Sequence, residues 1–125
     1  AQVLGVDLVS IGTQFVVASE SMASDDYREM LIASELEDII ETDSVSGVLA
    51  NWMRASLEAA GLSNEAPKGL KKEADFSGNI AADKKAWRDI WSAGEGVGMI
   101  KSRATTAEIV TRLEREYRAS LQRSF

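Results

Sequence analysis

The sequence predicts an α/β fold, rich in helix, with one buried strand near its N-terminus. Three observations carry that expectation. Residues 6–11, "VDLVSI", form a short run that is β-branched and apolar at both phases of its alternation, as a strand covered on both faces requires. Much of the rest repeats its apolar residues at helical spacing. Glycines close several of these segments, at Gly5, Gly12, Gly47 and Gly61.

In order along the chain, "AQVLG" reads as the last turn of a helix with Gly5 as its stop. Because the sequence opens on Ala1, a start in mid-domain is expected. The strand at 6–11 ends on Gly12 and Thr13. Ser24 is placed to cap a helix running to about Ser34, with Asp25 and Asp26 in its first turn and Tyr27, Met30 and Leu31 on its apolar face. Residues 38–47, "DIIETDSVSG", carry β-branched side chains and predict an extended segment or short strand. Leu49, Trp52, Met53, Ser56, Leu57 and Ala60 then follow helical spacing, and Gly61 with Leu62 supplies a glycine stop. Residues 63–80 hold the only proline, Pro67, without periodicity, and predict a surface loop. Residues 81–91 place Trp87, Ile90 and Trp91 on one helical face, and "SAGEGVGMI" forces a turn. A capping box from Thr105 to Glu108 opens a last helix with Ile109, Val110, Leu113, Tyr117 and Leu121 on one side and an exposed Glu114–Arg118 pair on the other.

The totals exclude several functions. The chain has 125 residues, about one domain, and 45% hydrophobic residues, enough to bury a core. Its 20 acidic and 14 basic residues give a net charge of −6, which provides no broad positive field for a nucleic acid or an anionic membrane. No apolar stretch reaches the roughly 20 residues needed to cross a bilayer, and no secretory signal pattern opens the chain. Cysteine is absent, which rules out disulfides, thiolate metal sites and thiol nucleophiles and suits a cytoplasmic setting. Histidine is absent as well, so this sequence lacks the commonest general base and metal ligand. No metal site is expected.

Two stretches have the composition to hold a ligand. If the first strand belongs to a (β/α)8 barrel, Gly12 and Thr13 stand at its functional end, where backbone amides suit a phosphate. The alternative is that Gly12 only permits a turn and Thr13 satisfies a local backbone group. The second stretch is "AGEGVG", with Gly94, Gly96 and Gly98. It does not match the dinucleotide fingerprint, because its third glycine falls one residue early and it follows a helical segment. Its glycines let backbone approach a flat ring or another chain segment, and Glu95 would then be partly buried; a plain connection between helices is the other reading. Trp52, Trp87 and Trp91 read as core residues rather than a cofactor box. The pairs Asp25 with Asp26 and Glu35 with Glu37 read as solvated helix-end charges, and no residue is assigned a catalytic role.

Taken together, "GVDLVSIGTQFVVASESMASDDYREML", "SGVLANWMRASLEAAGL" and "WRDIWSAGEGVGMI" resemble the C-terminal third of the nitronate monooxygenases, also called 2-nitropropane dioxygenases. The resemblance spans most of the chain apart from residues 63–80. It implies a C-terminal fragment of a (β/α)8 TIM-type barrel, with residues 1–125 forming part of a single FMN-binding domain and 6–11 as its last strand. It also implies FMN as cofactor, with the Gly12 and Thr13 amides beside its phosphate, and an alkyl nitronate and O₂ as small-molecule partners. A full barrel takes about 250 residues, more than are present here. A homo-oligomer is compatible with these features.

Two positions depart from the family pattern. Gln14 stands where an arginine is usual, and Glu95 where a glutamine is common, which removes a positive charge and adds a negative one. The family's catalytic histidine falls upstream of Ala1, in agreement with the lack of histidine here. The alternatives are an FMN-dependent enoyl-acyl-carrier-protein reductase, whose barrel shares the Gly-Thr corner, and a non-catalytic helical interaction module.

Overall fold

A computed structural model describes residues 5–43, 45–62 and 90–122. Helix α1 is a single turn, Thr13–Val16, and α2 covers Asp25–Ala33. A 3₁₀ turn at Leu36–Asp38 leads into β1, Ile39–Thr42, which pairs with β2, Ala50–Met53, and α3 follows directly at Arg54–Ala59. A second 3₁₀ turn occupies Glu95–Met99, and α4 runs over Thr106–Gln122.

The β1–β2 pair is antiparallel, with Ile39 opposite Met53 and Ile40 opposite Trp52. Since successive side chains leave a strand on opposite faces, these two rows serve different clusters. Ile39 and Met53 join Val17, Leu31, Ala93, Val97 and Ile100, whereas Ile40 and Trp52 pack with Leu57 and Ile90. Residues 91–92 lie along the other side of β2, where the Met53 N–H donates to the Trp91 carbonyl at 3.0 Å and Trp52 bridges to Ser92. Ser56 Oγ accepts the Trp91 N–H at 2.7 Å, so the first turn of α3 is fastened to the same segment.

Several elements follow the sequence. Ser24 Oγ caps α2 by accepting the Tyr27 N–H at 3.3 Å, and the helix ends at Ser34. The strand expected within 38–47 forms at its first half. Gly61 adopts φ +74° and closes α3 in a Schellman arrangement, with Leu62 N–H donating to Leu57 O and Gly61 N–H to Glu58 O, both at 2.9 Å. Thr105 and Glu108 form the expected reciprocal box, at 3.2 Å and 2.7 Å. Arg118 binds Glu114 as its spacing requires. Trp52 is fully buried, and Trp91 stacks on Tyr27 at 5.0 Å between ring centres.

Two expectations are corrected. Residues 6–11 do not form a buried strand: Leu8 is 88% and Val9 62% exposed, and the parallel sheet they were expected to join is absent among the described residues. A strand covered on both faces needs neighbours for its backbone and layers over its side chains, and the hairpin, the sole sheet described, lies elsewhere. The described architecture is thus a small mixed helix and strand arrangement with a two-stranded antiparallel sheet. The helix expected from Leu49 to Ala60 begins only at Arg54, because residues 50–53 pair with β1 and seat Trp52 and Met53 on opposite faces, a gain that local helical spacing cannot match. The apolar side of α4 is covered at Ile109, while Val110, Tyr117 and Leu121 remain exposed. The expected surface loop at 63–80, most of the helix at 81–91 with Trp87, and the helix end before Gly5 lie outside the described residues. Among the described residues no helix is long and apolar enough to cross a membrane.

Charge ties the N-terminal part of the chain to the segment entering α4. Arg103 reaches Asp25 and Glu29, each at 2.7 Å, and Arg28 also binds Asp25 at 3.1 Å. The Arg103 hydrogen bond and charge, aided by Arg28, hold the Asp25 carboxyl below its usual range. The backbone N–H and the hydroxyl of Thr105 do the same for Glu108. A depressed folded-state pKa gives stability that is present above the unfolded value and lost as pH falls through the folded one. Urea unfolding is therefore expected to show stability declining on acidification below about pH 4, and Arg103→Met should flatten part of that decline. Gly61→Ala should cost about 1–2 kcal/mol in the same measurement, because a Cβ at that φ is strained even with open space around it.

Candidate functional site

The Gly12–Thr13 corner and the glycine-rich turn, 81 residues apart, meet. Thr13 Oγ1 accepts the Gly94 N–H at 2.9 Å, so the hydroxyl bridges two chain segments rather than satisfying a local group. A Cβ on Gly94 would stand 3.3 Å from Thr13 Oγ1, tight enough that a glycine eases the approach. The turn is then wound by Val97 N–H to Gly94 O and Ile100 N–H to Val97 O, at 3.0 and 2.9 Å, which drives Val97 and Ile100 into the core. Gly94 thus makes the close approach to another chain segment that was one of the roles considered for these glycines. Gly98 extends it: a Cβ there would lie 2.7 Å from Glu35 Oε2, and Glu35 is itself held by Lys101 at 2.6 Å.

Between these two walls lies a cavity of about 330 Å³, near the lower end of the range for small-molecule sites. Gly12, Thr13 and Gln14 form one side and Gly94, Glu95 and Gly96 the other. Ile11, Met99, Ile100 and Leu113 supply apolar surface, Leu113 coming from α4. Gly12 is open, with nothing within 4 Å of where a Cβ would stand. Gln14 Nε2 is buried and finds no acceptor among the described residues. A buried N–H donor without a partner costs free energy, and a ligand acceptor would recover it.

Glu95 was expected to be partly buried; it is exposed at the rim, because the 3₁₀ turn directs Val97 inward and leaves Glu95 in solvent. The corner is not sealed under its own side chains, as the accessible Gly12 makes plain. Met99, Ile100 and Leu113 were not singled out as site residues. Leu113 was legible only as one of the apolar residues of the last helix, with no local sign that it faces the Gly-Thr corner. Asp25 and Glu35 are exposed but occupied, Asp25 with Arg103 and Arg28 and Glu35 with Lys101. Tyr27 is held by donating its hydroxyl to Ser92 O at 2.5 Å, and burial pushes its pKa up. Among the described residues no group of three or more His, Cys, Asp or Glu side chains is placed to hold a metal ion.

Comparison with known proteins relates this chain to an oxidoreductase. Over 98% of its length it is 30% identical to a nitronate monooxygenase of Paraburkholderia phytofirmans (strain DSM 17436 / LMG 22146 / PsJN), which bears out the resemblance carried by its motifs. The chain spans 35% of the length of that relative. No family model matches the chain, and no solved structure matches it.

The bridge between the two walls can be measured directly. Thr13→Val removes the acceptor and should speed amide hydrogen exchange at Gly94 about fivefold, corresponding to the ~1 kcal/mol of an ordinary net hydrogen bond. Thr13→Ser should leave that exchange near the wild-type rate.

Proposed function

We propose that this chain forms part of the flavin site of an FMN-dependent nitronate monooxygenase, an enzyme of the cytoplasm that oxidises alkyl nitronates with O₂ on a (β/α)8 barrel. The observation that carries the reading is the Thr13–Gly94 hydrogen bond, which joins both motif stretches around one cavity. The barrel would give the exposed apolar run at 6–11 its missing neighbours.

The donor set fits a flavin nucleotide. Gly12 leaves room for a ligand to approach the backbone, Gln14 Nε2 is a buried donor in want of an acceptor, and Ile11, Met99 and Leu113 offer apolar surface to a ring. Gly12 and Thr13 would stand beside the phosphate. When bound, FMN supplies the electron transfer that no side chain can provide. The chain's own part is positional. Thr13 fixes the distance between the walls, Gly94 and Gly96 bare the backbone of the second wall on either side of Glu95, and the apolar residues exclude water from a ring face. No residue of this chain is assigned proton transfer from substrate.

In the full-length protein, oxygen uptake driven by an alkyl nitronate is the expected activity. Thr13→Val should lower flavin content after dialysis several-fold, with Thr13→Ser retaining it. NAD(P)H-driven enoyl reduction without nitronate turnover would instead identify an enoyl-acyl-carrier-protein reductase. Unchanged flavin content in Thr13→Val would remove the hydroxyl from the account.

A further inference from the structure

The charge around the cavity is unusual for a site that receives a phosphate. Among the described residues that line it, the hydrogen-bond donors are neutral and Glu95 is the one charged side chain. Among the described residues, Lys101 is engaged with Glu35 at 2.6 Å, and Arg103 with Asp25 and Glu29. Arg28, half-buried on α2, binds Asp25 and the Ser21 carbonyl and keeps a buried Nε with no acceptor among the described residues. A phosphate monoester carries close to two negative charges at neutral pH and is ordinarily met by Lys or Arg. Here it would meet N–H dipoles opposed by a carboxylate.

We propose that Glu95 is a specificity-determining residue that sets the cavity against the phosphate dianion, so that a flavin is retained through its ring and ribityl chain and the phosphate adds little affinity. The proposal rests on the flavin reading given above. Glu95 is solvent-exposed, so its repulsion acts through water and is screened by salt. Gln14 Nε2 contributes a neutral donor that an uncharged acceptor can also satisfy. The consequence is a site that distinguishes poorly between FMN and riboflavin, two ligands with the same ring and different charge.

The test is titration of the flavin-stripped full-length protein with FMN and with riboflavin, followed by quenching of flavin fluorescence, for wild type and Glu95→Gln. At low salt, wild type is expected to bind the two ligands within about tenfold of each other, and its FMN affinity should rise as salt is added. Glu95→Gln should tighten FMN about tenfold, lose that salt response and leave riboflavin unchanged. If wild type binds FMN more than about a hundredfold tighter than riboflavin and Glu95→Gln changes neither, the proposal is overturned while the flavin reading stands. If neither flavin binds, both fall together.

Discussion

The contact on which the candidate site depends is the hydrogen bond from the Gly94 N–H to Thr13 Oγ1. It is one bond of ordinary length, worth about 1 kcal/mol net by itself. Its importance lies in what it brings into register. The single turn of α1 and the 3₁₀ turn at Glu95–Met99 are both too short to hold a position through their own backbone bonds. Each is fixed by what it touches. Val17 enters the core at the end of α1, Val97 and Ile100 enter it from the 3₁₀ turn, and the Thr13 bridge sets the separation between them. The cavity is the space left between two turns whose outward atoms are largely backbone.

The support behind those turns is layered. Trp91 stacks on Tyr27, and Tyr27 holds Ser92 through its hydroxyl, so the segment entering the glycine-rich turn is clamped against α2 on one side and β2 on the other. Beyond the turn, the Ser19 N–H donates to the Ala104 carbonyl at 2.9 Å, and Glu20 accepts the Thr106 N–H at the start of α4. Arg103 adds charge to the same join. A carboxylate at a helix start also complements the helix dipole, so Glu20 stabilises the end it grips. The region from residue 90 to 106 is thus held at both ends, which gives the cavity a defined wall.

The proposed chemistry follows from what the chain lacks as much as from what it holds. Without histidine or cysteine, its side chains have little with which to move protons or electrons at neutral pH. What it offers is shape, apolar surface and neutral N–H donors, which are the means by which a protein places a cofactor that brings its own reactivity.

Local chemistry was enough to settle where α2 and α4 start and where α3 stops. Ser24, the Thr105–Glu108 box and the Gly61 closure each rest on atoms within a few residues of one another, and the sequence alone determined them. It also singled out Gly12, Thr13 and the alternating glycines, because their conformational freedom and polar groups are properties of the residues themselves. Tertiary structure decided the rest. Residues 50–53 have helical spacing and yet form a strand, since β1 offers them a partner and two apolar clusters to fill. Residues 6–11 have the composition of a buried strand and yet lie in solvent, since no described strand is beside them. The meeting of Thr13 with Gly94 belongs to the same kind: a contact across 81 residues depends on how every intervening segment packs, and neither motif carries a local trace of the other.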